Sequence, residues 1–149
     1  MRPEALEGGF ADAPVEAARA FRAAMTAMAR PGCIERLEGA TPPAPLSQAA
    51  GALILTLCDP ETPVGLAGAH DAPGVRDWIA FHTGAPFVGA GEAAFAVGGW
   101  AALQPLDRYR TGTSEYPDRS ATLIVEMERL SDRGAVLRGP GIRDSAQLS

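Results

Sequence analysis

Large apolar side chains recur every three or four positions in the most regular stretch of the chain, which predicts an α-helix from Ala13 to Ala29. The positions that carry this period are Val15, Ala18, Phe21, Met25 and Met28. Asp12 is the candidate N-cap, and Pro14 lies in the first turn, where its missing N–H costs nothing. Residues 30–32, Arg-Pro-Gly, end the helix because a residue before proline avoids helical angles.

Shorter patterns predict the rest of an α/β chain. Helices are expected at residues 46–57 and 73–81, with a helical turn at 100–106, and strands at residues 33–37, 64–67, 93–97, 121–127 and 135–138. Helices that alternate with short apolar strands are typical of a sheet covered on both faces. We therefore expect a three-layer α/β sandwich built around a mixed sheet, with residues 1–149 forming a single domain.

The overall charge argues against two classes of partner. A formal net charge of -5 disfavours an electrostatic grip on nucleic acid or on anionic lipid. The N-terminal residues lack the apolar core of a signal peptide, and the longest apolar run is too short to span a bilayer. The sequence therefore predicts a cytoplasmic protein that binds neither nucleic acid nor membrane.

The basic residues and the cysteines exclude several cofactors. All 13 basic residues are arginine, so neither a Schiff-base lysine for pyridoxal phosphate nor the lysine of a Walker-type phosphate loop is present. Cys33 and Cys58 are the only thiols, too few for an iron–sulfur cluster or a cysteine-based zinc site, and we expect both to be buried and free. His70 and His82 share no helical face, so the sequence predicts no cofactor or metal held by this chain.

A dense polar loop precedes the strand at 121–127, and it contains three candidate binding residues. Tyr116, Asp118 and Arg119 lie in the sequence Gly-Thr-Ser-Glu-Tyr-Pro-Asp-Arg-Ser. Loops held by a rigid strand often carry function, and an arginine suits planar oxyanions. Neighbouring residues in such a segment point in opposite directions, so we expect Asp118 and Arg119 not to pair. Arg119 either faces a cleft or turns inward to pair with a carboxylate such as Glu61.

Three further candidates lie at predicted element ends. Arg30 could bind a phosphate or carboxylate, or stabilise the end of its helix. His82 could act as a general acid or base, or stabilise the end of the helix at 73–81. Glu61 could form a carboxylate pair with Asp59. Alternatively, Asp59 accepts backbone hydrogen bonds within a rigid turn. His70 is interpreted as an exposed loop residue.

Five blocks of sequence resemble one bacterial family. The matching segments are Phe21-Arg-x-x-Met-x-x-Met-Ala-Arg-Pro-Gly32, Leu-Thr-Leu-Cys-Asp-Pro-Glu-Thr-Pro at 55–63, Phe-His-Thr-Gly-Ala-Pro at 81–86, Gly-Thr-Ser-Glu-Tyr-Pro-Asp-Arg-Ser-Ala-Thr at 112–122 and Leu-Arg-Gly-Pro-Gly-Ile at 137–142. In this order they resemble the H subunit of the bacterial carbon–phosphorus lyase system. The resemblance extends from about residue 10 to residue 142.

The resemblance implies a role in phosphonate catabolism within a core complex of G, H, I and J subunits. That complex displaces adenine from ATP with an alkylphosphonate and forms a ribose 1-alkylphosphonate 5-triphosphate. The iron–sulfur cluster and S-adenosylmethionine needed to cleave the carbon–phosphorus bond are expected in the J subunit. The resemblance also implies a homodimer and a fold like that of pyridoxal-phosphate transferases without the cofactor site. Family members continue beyond the Gly-Pro-Gly segment, so this chain is expected to lack a C-terminal segment.

Two functions remain open from the sequence. The first is an accessory subunit, without catalysis of its own, whose surface docks other subunits. The second is a stand-alone small enzyme or binding protein in which Arg30, His82, Tyr116 and Arg119 converge on an anionic phosphonate or nucleotide. The second hypothesis requires a single cleft that contains all four residues.

Overall fold

The computed structural model describes residues 2–149, which form four α-helices and two β-sheets. The helices are α1 (Ala13–Ala29), α2 (Gln48–Leu57), α3 (Pro73–Thr83) and α4 (Trp100–Leu103). The strands are β1 (Val64–Leu66), β2 (Phe95–Gly99), β3 (Thr122–Glu126), β4 (Ala135–Leu137) and β5 (Ala146–Leu148). No helix in this range is long and apolar enough to cross a membrane.

The strands confirm an α/β protein but not one mixed sheet. Strands β1, β2 and β3 form a parallel sheet in that order, and β4 pairs with β5 in a separate antiparallel sheet. Within residues 2–149, the parallel pairs and the antiparallel pair therefore belong to two separate sheets, and neither sheet is mixed. The bounds of α1 match the prediction. Apart from the strand at 33–37, the other predicted helices and strands are confirmed to within a few residues. The predicted turn at 100–106 is divided between α4 and a 3₁₀ turn, Leu106–Arg108.

The predicted strand at 33–37 is wrong. After Gly32, whose φ of +93° reverses the chain direction, the segment is mostly exposed and has no strand partner among the described residues. Its first residue, Cys33, is exposed, which corrects the expectation of two buried thiols, while Cys58 is buried as predicted. Burial raises the pKa of the Cys58 thiol to about 12, with a smaller contribution from the charge of Asp59.

Alternate residues of the parallel sheet face two different cores. Val64 and Val97 point to the side of α2 and α3, where they join the fully buried Ile54 and Trp78. Ala96 precedes Val97 in β2 and points to the opposite side of the sheet, where it packs with Leu103 and Tyr109. This alternation is the period of two expected of a strand. The sheet therefore has a helical face and a second face that α4 and the residues after it cover.

Helix α1 packs on the domain through small side chains and exposes its large apolar ones. It packs against α2, and Ala20 is its one buried residue. Phe21, Met25 and Met28, which helped to predict the helix, are 52%, 56% and 76% exposed. They are spaced by four and three residues, so they lie on one face of α1. The period predicted the helix correctly, but it marks an exposed apolar stripe and not the core side.

Candidate functional site

A cleft of about 520 Å³ opens on the second face of the parallel sheet. Its floor is made of small residues that point away from α2 and α3, among them Gly65, Ala67 and Ala96. Its walls come from the start of α3, from residues 87–90 and from the segment that follows α4. The volume is within the ordinary range for small-molecule sites in proteins.

Arg76 forms one wall of this cleft and is fixed on two sides. Its Nε donates a hydrogen bond to Oδ1 of Asp71, and its guanidinium carbon lies 4.8 Å from the centre of the Phe87 ring. That hydrogen bond holds the pKa of Asp71 below its usual value and raises the pKa of Arg76. Both side chains remain well exposed, at 43% for Arg76 and 39% for Asp71, so the pair contributes little to stability.

Arg108 forms a second wall and is also held in place. Its Nη2 donates to the carbonyl oxygen of Ala102 at 2.6 Å and to the hydroxyl of Tyr109 at 3.1 Å. The guanidinium carbon lies 5.2 Å from the centre of the Tyr109 ring, which is itself buried. The arginine is therefore oriented by a backbone group and by an aromatic residue of the core.

The lining of the cleft carries a positive excess. Two guanidinium groups face a single carboxylate, that of Asp71, in a protein whose formal net charge is -5. A second cavity of about 480 Å³, next to α1, balances Arg19 and Arg36 against Glu16 and Glu38. We therefore name the first cavity, with Arg76 and Arg108, the arginine cleft, and take it as the candidate site for an anion. Residues 2–149 contain no cluster of three or more potential metal ligands.

A buried polar cluster joins the ends of two strands. His70 is only 8% exposed, in a 3₁₀ turn after β1, which corrects its interpretation as an exposed loop residue. Its Nε2 lies 3.7 Å from Oε1 of Glu126 at the end of β3 and has no hydrogen-bond partner. The same carboxylate oxygen accepts the backbone N–H of Ser47 at 2.7 Å. The cluster links β1, β3 and the start of α2.

The structure brings Tyr116 and Arg119 together. Both are exposed, and the guanidinium carbon of Arg119 lies 3.8 Å from the centre of the Tyr116 ring. Asp118 lies in the same 3₁₀ turn, Pro117–Arg119, and makes no ion pair with Arg119, as expected. Arg119 also makes no ion pair with Glu61 among the described residues, so the inward alternative does not occur.

The other three predicted residues belong to other elements of the fold. Arg30 is exposed and forms the C-cap of α1. Glu61 is exposed in the turn after α2, where its N–H donates to Oδ1 of Asp59, so Asp59 stabilises the turn as expected. His82 lies in the last turn of α3, with Nε2 3.1 Å from the carbonyl oxygen of Glu7.

The cleft residues were not identified from the sequence. None of the six predicted site residues, Arg30, Glu61, His82, Tyr116, Asp118 and Arg119, lines either cavity described above. One local signal was available, because Asp71 and Arg76 stand five residues apart across the start of a predicted helix. Arg108 and Tyr109 carry no such signal, since they reach the cleft only through the packing of the segment after α4.

Taken together, the fold and the cleft define a small α/β protein with an arginine-lined surface cleft, which is its candidate site for an anion. The family model of the bacterial phosphonate metabolism protein (PhnH) matches residues 8–149. The alpha-D-ribose 1-methylphosphonate 5-triphosphate synthase subunit PhnH of Rhizobium meliloti (strain 1021) is 48% identical over 148 residues, which cover 95% of this chain and 73% of that protein. The chain belongs to the bacterial phosphonate metabolism (PhnH) family, and the family resemblance is confirmed.

Proposed function

We propose that this protein is an accessory subunit of an α-D-ribose 1-methylphosphonate 5-triphosphate synthase and acts in phosphonate catabolism. The observation that carries the proposal is the 48% identity to a relative described as a subunit of that synthase. The two described cavities support an accessory role, because neither is lined by Arg30, His82, Tyr116 or Arg119. The transferase chemistry would then be carried out in the assembled complex.

The proposed partners are the G, I and J subunits of the carbon–phosphorus lyase core, together with a second copy of this chain. The exposed stripe of Phe21, Met25 and Met28 supports a docking role, because large apolar side chains clustered on one helix face commonly mark an interface. Methionine side chains also adapt their shape to a partner. The iron–sulfur cluster and S-adenosylmethionine would belong to the J subunit, and this chain would hold no cofactor.

Four finer expectations belong to the same proposal. The fold would be related to that of pyridoxal-phosphate transferases, as a three-layer sandwich that lacks the cofactor site. Residues 1–149 would form one domain, with a cytoplasmic location predicted from the sequence alone. Tyr116 and Arg119 would face a partner, and Arg30, Glu61, His82 and Asp118 remain candidate contacts. The exposure of the 116–119 loop supports this assignment.

Deleting the gene and growing the cells on methylphosphonate as the sole phosphorus source tests the subunit role. We expect growth to fail with methylphosphonate, to continue with inorganic phosphate, and to return when the gene is supplied on a plasmid. Normal growth of the deletion strain on methylphosphonate would count decisively against the proposal.

Co-purification tests the docking stripe. A tagged chain carrying Met25→Glu and Met28→Glu should lose its partner subunits, because two buried charges at an interface are costly. Leu130→Glu is the matched control, since Leu130 is 55% exposed but lies outside α1. Retention of all partners by the double variant would show that the stripe is not the docking surface.

The alternative function is a binding protein for an anionic phosphonate or nucleotide. The arginine cleft is the observation that favours it, because two oriented guanidinium groups line one cavity. The four residues named for this hypothesis from the sequence lie outside that cleft. In this form the alternative would rest on Arg76 and Arg108, and it is compatible with the subunit role.

A further inference from the structure

Arg76 and Arg108 present unused hydrogen-bond donors to the cleft. A guanidinium carries several N–H groups in one plane. Arg76 donates through Nε alone, and Arg108 donates through Nη2 alone, so the remaining N–H groups have no protein acceptor within residues 2–149. Donors of this kind match the oxygens of a phosphate or phosphonate, which accept two parallel hydrogen bonds from one guanidinium.

Both arginines are oriented before any ligand arrives. Arg76 lies against the Phe87 ring, and Arg108 lies against the ring of Tyr109 and the carbonyl of Ala102. A side chain that is already held loses less conformational entropy when a ligand binds. Arg108 is exposed and the Arg76 side chain is 43% exposed, but each is held by contacts with the protein before a ligand binds.

The floor of the cleft leaves room for an organic group. Gly65, Ala67 and Ala96 project at most a methyl group into the space, and all three belong to or adjoin the rigid strands β1 and β2. The cavity of about 520 Å³ is larger than a single phosphate group needs. An anion held by the arginines could therefore carry a small organic substituent that rests on this floor.

The charge of the lining residues limits how much negative charge the ligand can carry. Asp71 is the one carboxylate among the lining residues, and its Oδ1 is already bonded to Nε of Arg76. Two guanidinium groups and one carboxylate leave a single positive excess, which suits an anion of low charge. A triphosphate would bring several negative charges to a site with too few cations and with an adjacent carboxylate.

We propose that the arginine cleft binds a small organic phosphorus oxyanion with one phosphorus group, either an alkylphosphonate or a phosphate monoester. Arg76 and Arg108 would bind the oxygens, and the organic substituent would lie over Gly65, Ala67 and Ala96. The inference goes beyond the subunit role, because it gives this chain a ligand of its own. It does not depend on which partners the chain docks.

Calorimetric titration of the purified 149-residue chain tests the site directly. The probes are methylphosphonate, ribose 5-phosphate, inorganic phosphate and ATP. We expect saturable binding of methylphosphonate, of ribose 5-phosphate or of both, at least tenfold tighter than inorganic phosphate or ATP. Binding of methylphosphonate alone would identify a phosphonate site, and binding of ribose 5-phosphate alone would identify a phosphate monoester site.

Two variants and one control assign the binding to the cleft. Arg108→Gln and Arg76→Gln should each weaken binding at least tenfold, because each removes a charged donor from the oxyanion. Arg22→Gln, which replaces an exposed arginine on α1, should leave affinity unchanged. If loss of the Arg108 contacts prevents folding, Arg76→Gln carries the test, since the Arg76 side chain is 43% exposed.

Several outcomes would overturn the proposal. These are no binding of methylphosphonate or ribose 5-phosphate at millimolar concentration, tightest binding of ATP, or full affinity in the cleft variants. None of them bears on the subunit role, which growth on methylphosphonate and co-purification test separately. A chain that binds no ligand but restores growth would contradict the cleft proposal alone.

Discussion

The carboxylate of Glu126 accepts the backbone N–H of Ser47 at 2.7 Å, across 79 positions of sequence. Ser47 is the N-cap of α2, and its own Oγ accepts the N–H of Ala50 at 3.1 Å. Glu126 ends β3, so one oxygen atom joins the end of the parallel sheet to the start of a core helix. A carboxylate at a helix N-terminus is also favoured by the backbone dipole.

Removal of that carboxylate should destabilise the fold. Glu126→Ala leaves the Ser47 N–H without its acceptor, and we expect a loss of about 1–3 kcal/mol in the free energy of unfolding. Urea denaturation followed by circular dichroism measures it. Glu128→Ala is the control, because Glu128 is exposed two residues further on. Equal stabilities of the two variants would mean that the Glu126 contact contributes nothing.

Trp78 should hold the N-terminal segment onto α3. Its Nε1 donates to the carbonyl oxygen of Glu7 at 2.9 Å, and the side chain is fully buried. Trp78→Phe removes the donor and part of the packing, so we expect a loss of about 1–3 kcal/mol. Hydrogen exchange should also accelerate at the Thr41 N–H, which bonds to the carbonyl of Gly8 next to Glu7.

Trp100→Phe is the matched control for this change, because Trp100 is 56% exposed. It should leave both the stability and the exchange at Thr41 close to those of the original chain. His82 Nε2 also contacts the Glu7 oxygen, so His82→Ala should show a weaker form of the Trp78→Phe effect. Unchanged exchange at Thr41 in Trp78→Phe would contradict the anchoring role.

Cys58 should make the protein less stable at alkaline pH. Burial raises its pKa in the folded protein from 9.0 to about 12. Below pH 9 both the folded and the unfolded chain keep the thiol proton, so this group adds no pH dependence. Between about pH 9 and pH 12 only the unfolded chain releases the proton, and stability falls by up to roughly 4 kcal/mol as the pH rises.

Unfolding curves across this pH range measure the effect. Cys58→Ala should lose less stability between pH 9 and pH 12 than the original chain, whereas Cys33→Ala should behave like the original because Cys33 is exposed. At pH 8 a thiol reagent should modify Cys33 quickly and Cys58 only after denaturant is added. Identical pH profiles for both variants would be the contrary result.

The contact between Tyr116 and Arg119 should matter more for association than for folding. An exposed cation–π pair is worth about 0.5–1 kcal/mol, so Arg119→Ala should lower stability by no more than that. If the pair faces a partner, the same variant should lose co-purifying subunits, because exposed aromatic and arginine residues often dominate interfaces. Arg129→Ala, another exposed arginine, should do neither.

A different result would assign these residues to the scaffold. A stability loss well above 1 kcal/mol with full co-purification would show that Tyr116 and Arg119 hold the loop and contact no partner. The loop already has internal support, since Thr113 Oγ1 accepts the N–H of Tyr116 at 3.0 Å and Ser120 Oγ donates to the carbonyl of Pro117 at 3.0 Å.

Local patterns predicted the helices well because their signals are local. The hydrophobic period and Pro14 located the start of α1, and the Pro-Gly after it located the end. Gly84, with a φ of +71°, ends α3. Strand β5 was not predicted, because Ala146–Leu148 contains none of the β-branched or aromatic residues that favour strands. The absence of a strand at 33–37 could not be seen either, since a strand needs a partner that lies elsewhere in the chain.

The candidate site was harder to predict because tertiary packing builds it. His70 stands in a short Gly-Ala-His-Asp segment that suggests a loop, and only the position of Glu126 shows why it is buried. Arg108 faces the cleft because α4 and Tyr109 pack on the second face of the sheet. The family blocks drew attention to the 112–122 loop, whereas the cleft lies largely between those blocks.

Helix α1 meets its own domain through alanine and turns its phenylalanine and methionine side chains outward. Small contacts bury little apolar area, so this helix gains less from folding than a helix that buries its large face. It has most to gain from a neighbour that covers Phe21, Met25 and Met28. Helix α1 would then be less stable in the free chain than in an assembly that covers these three side chains.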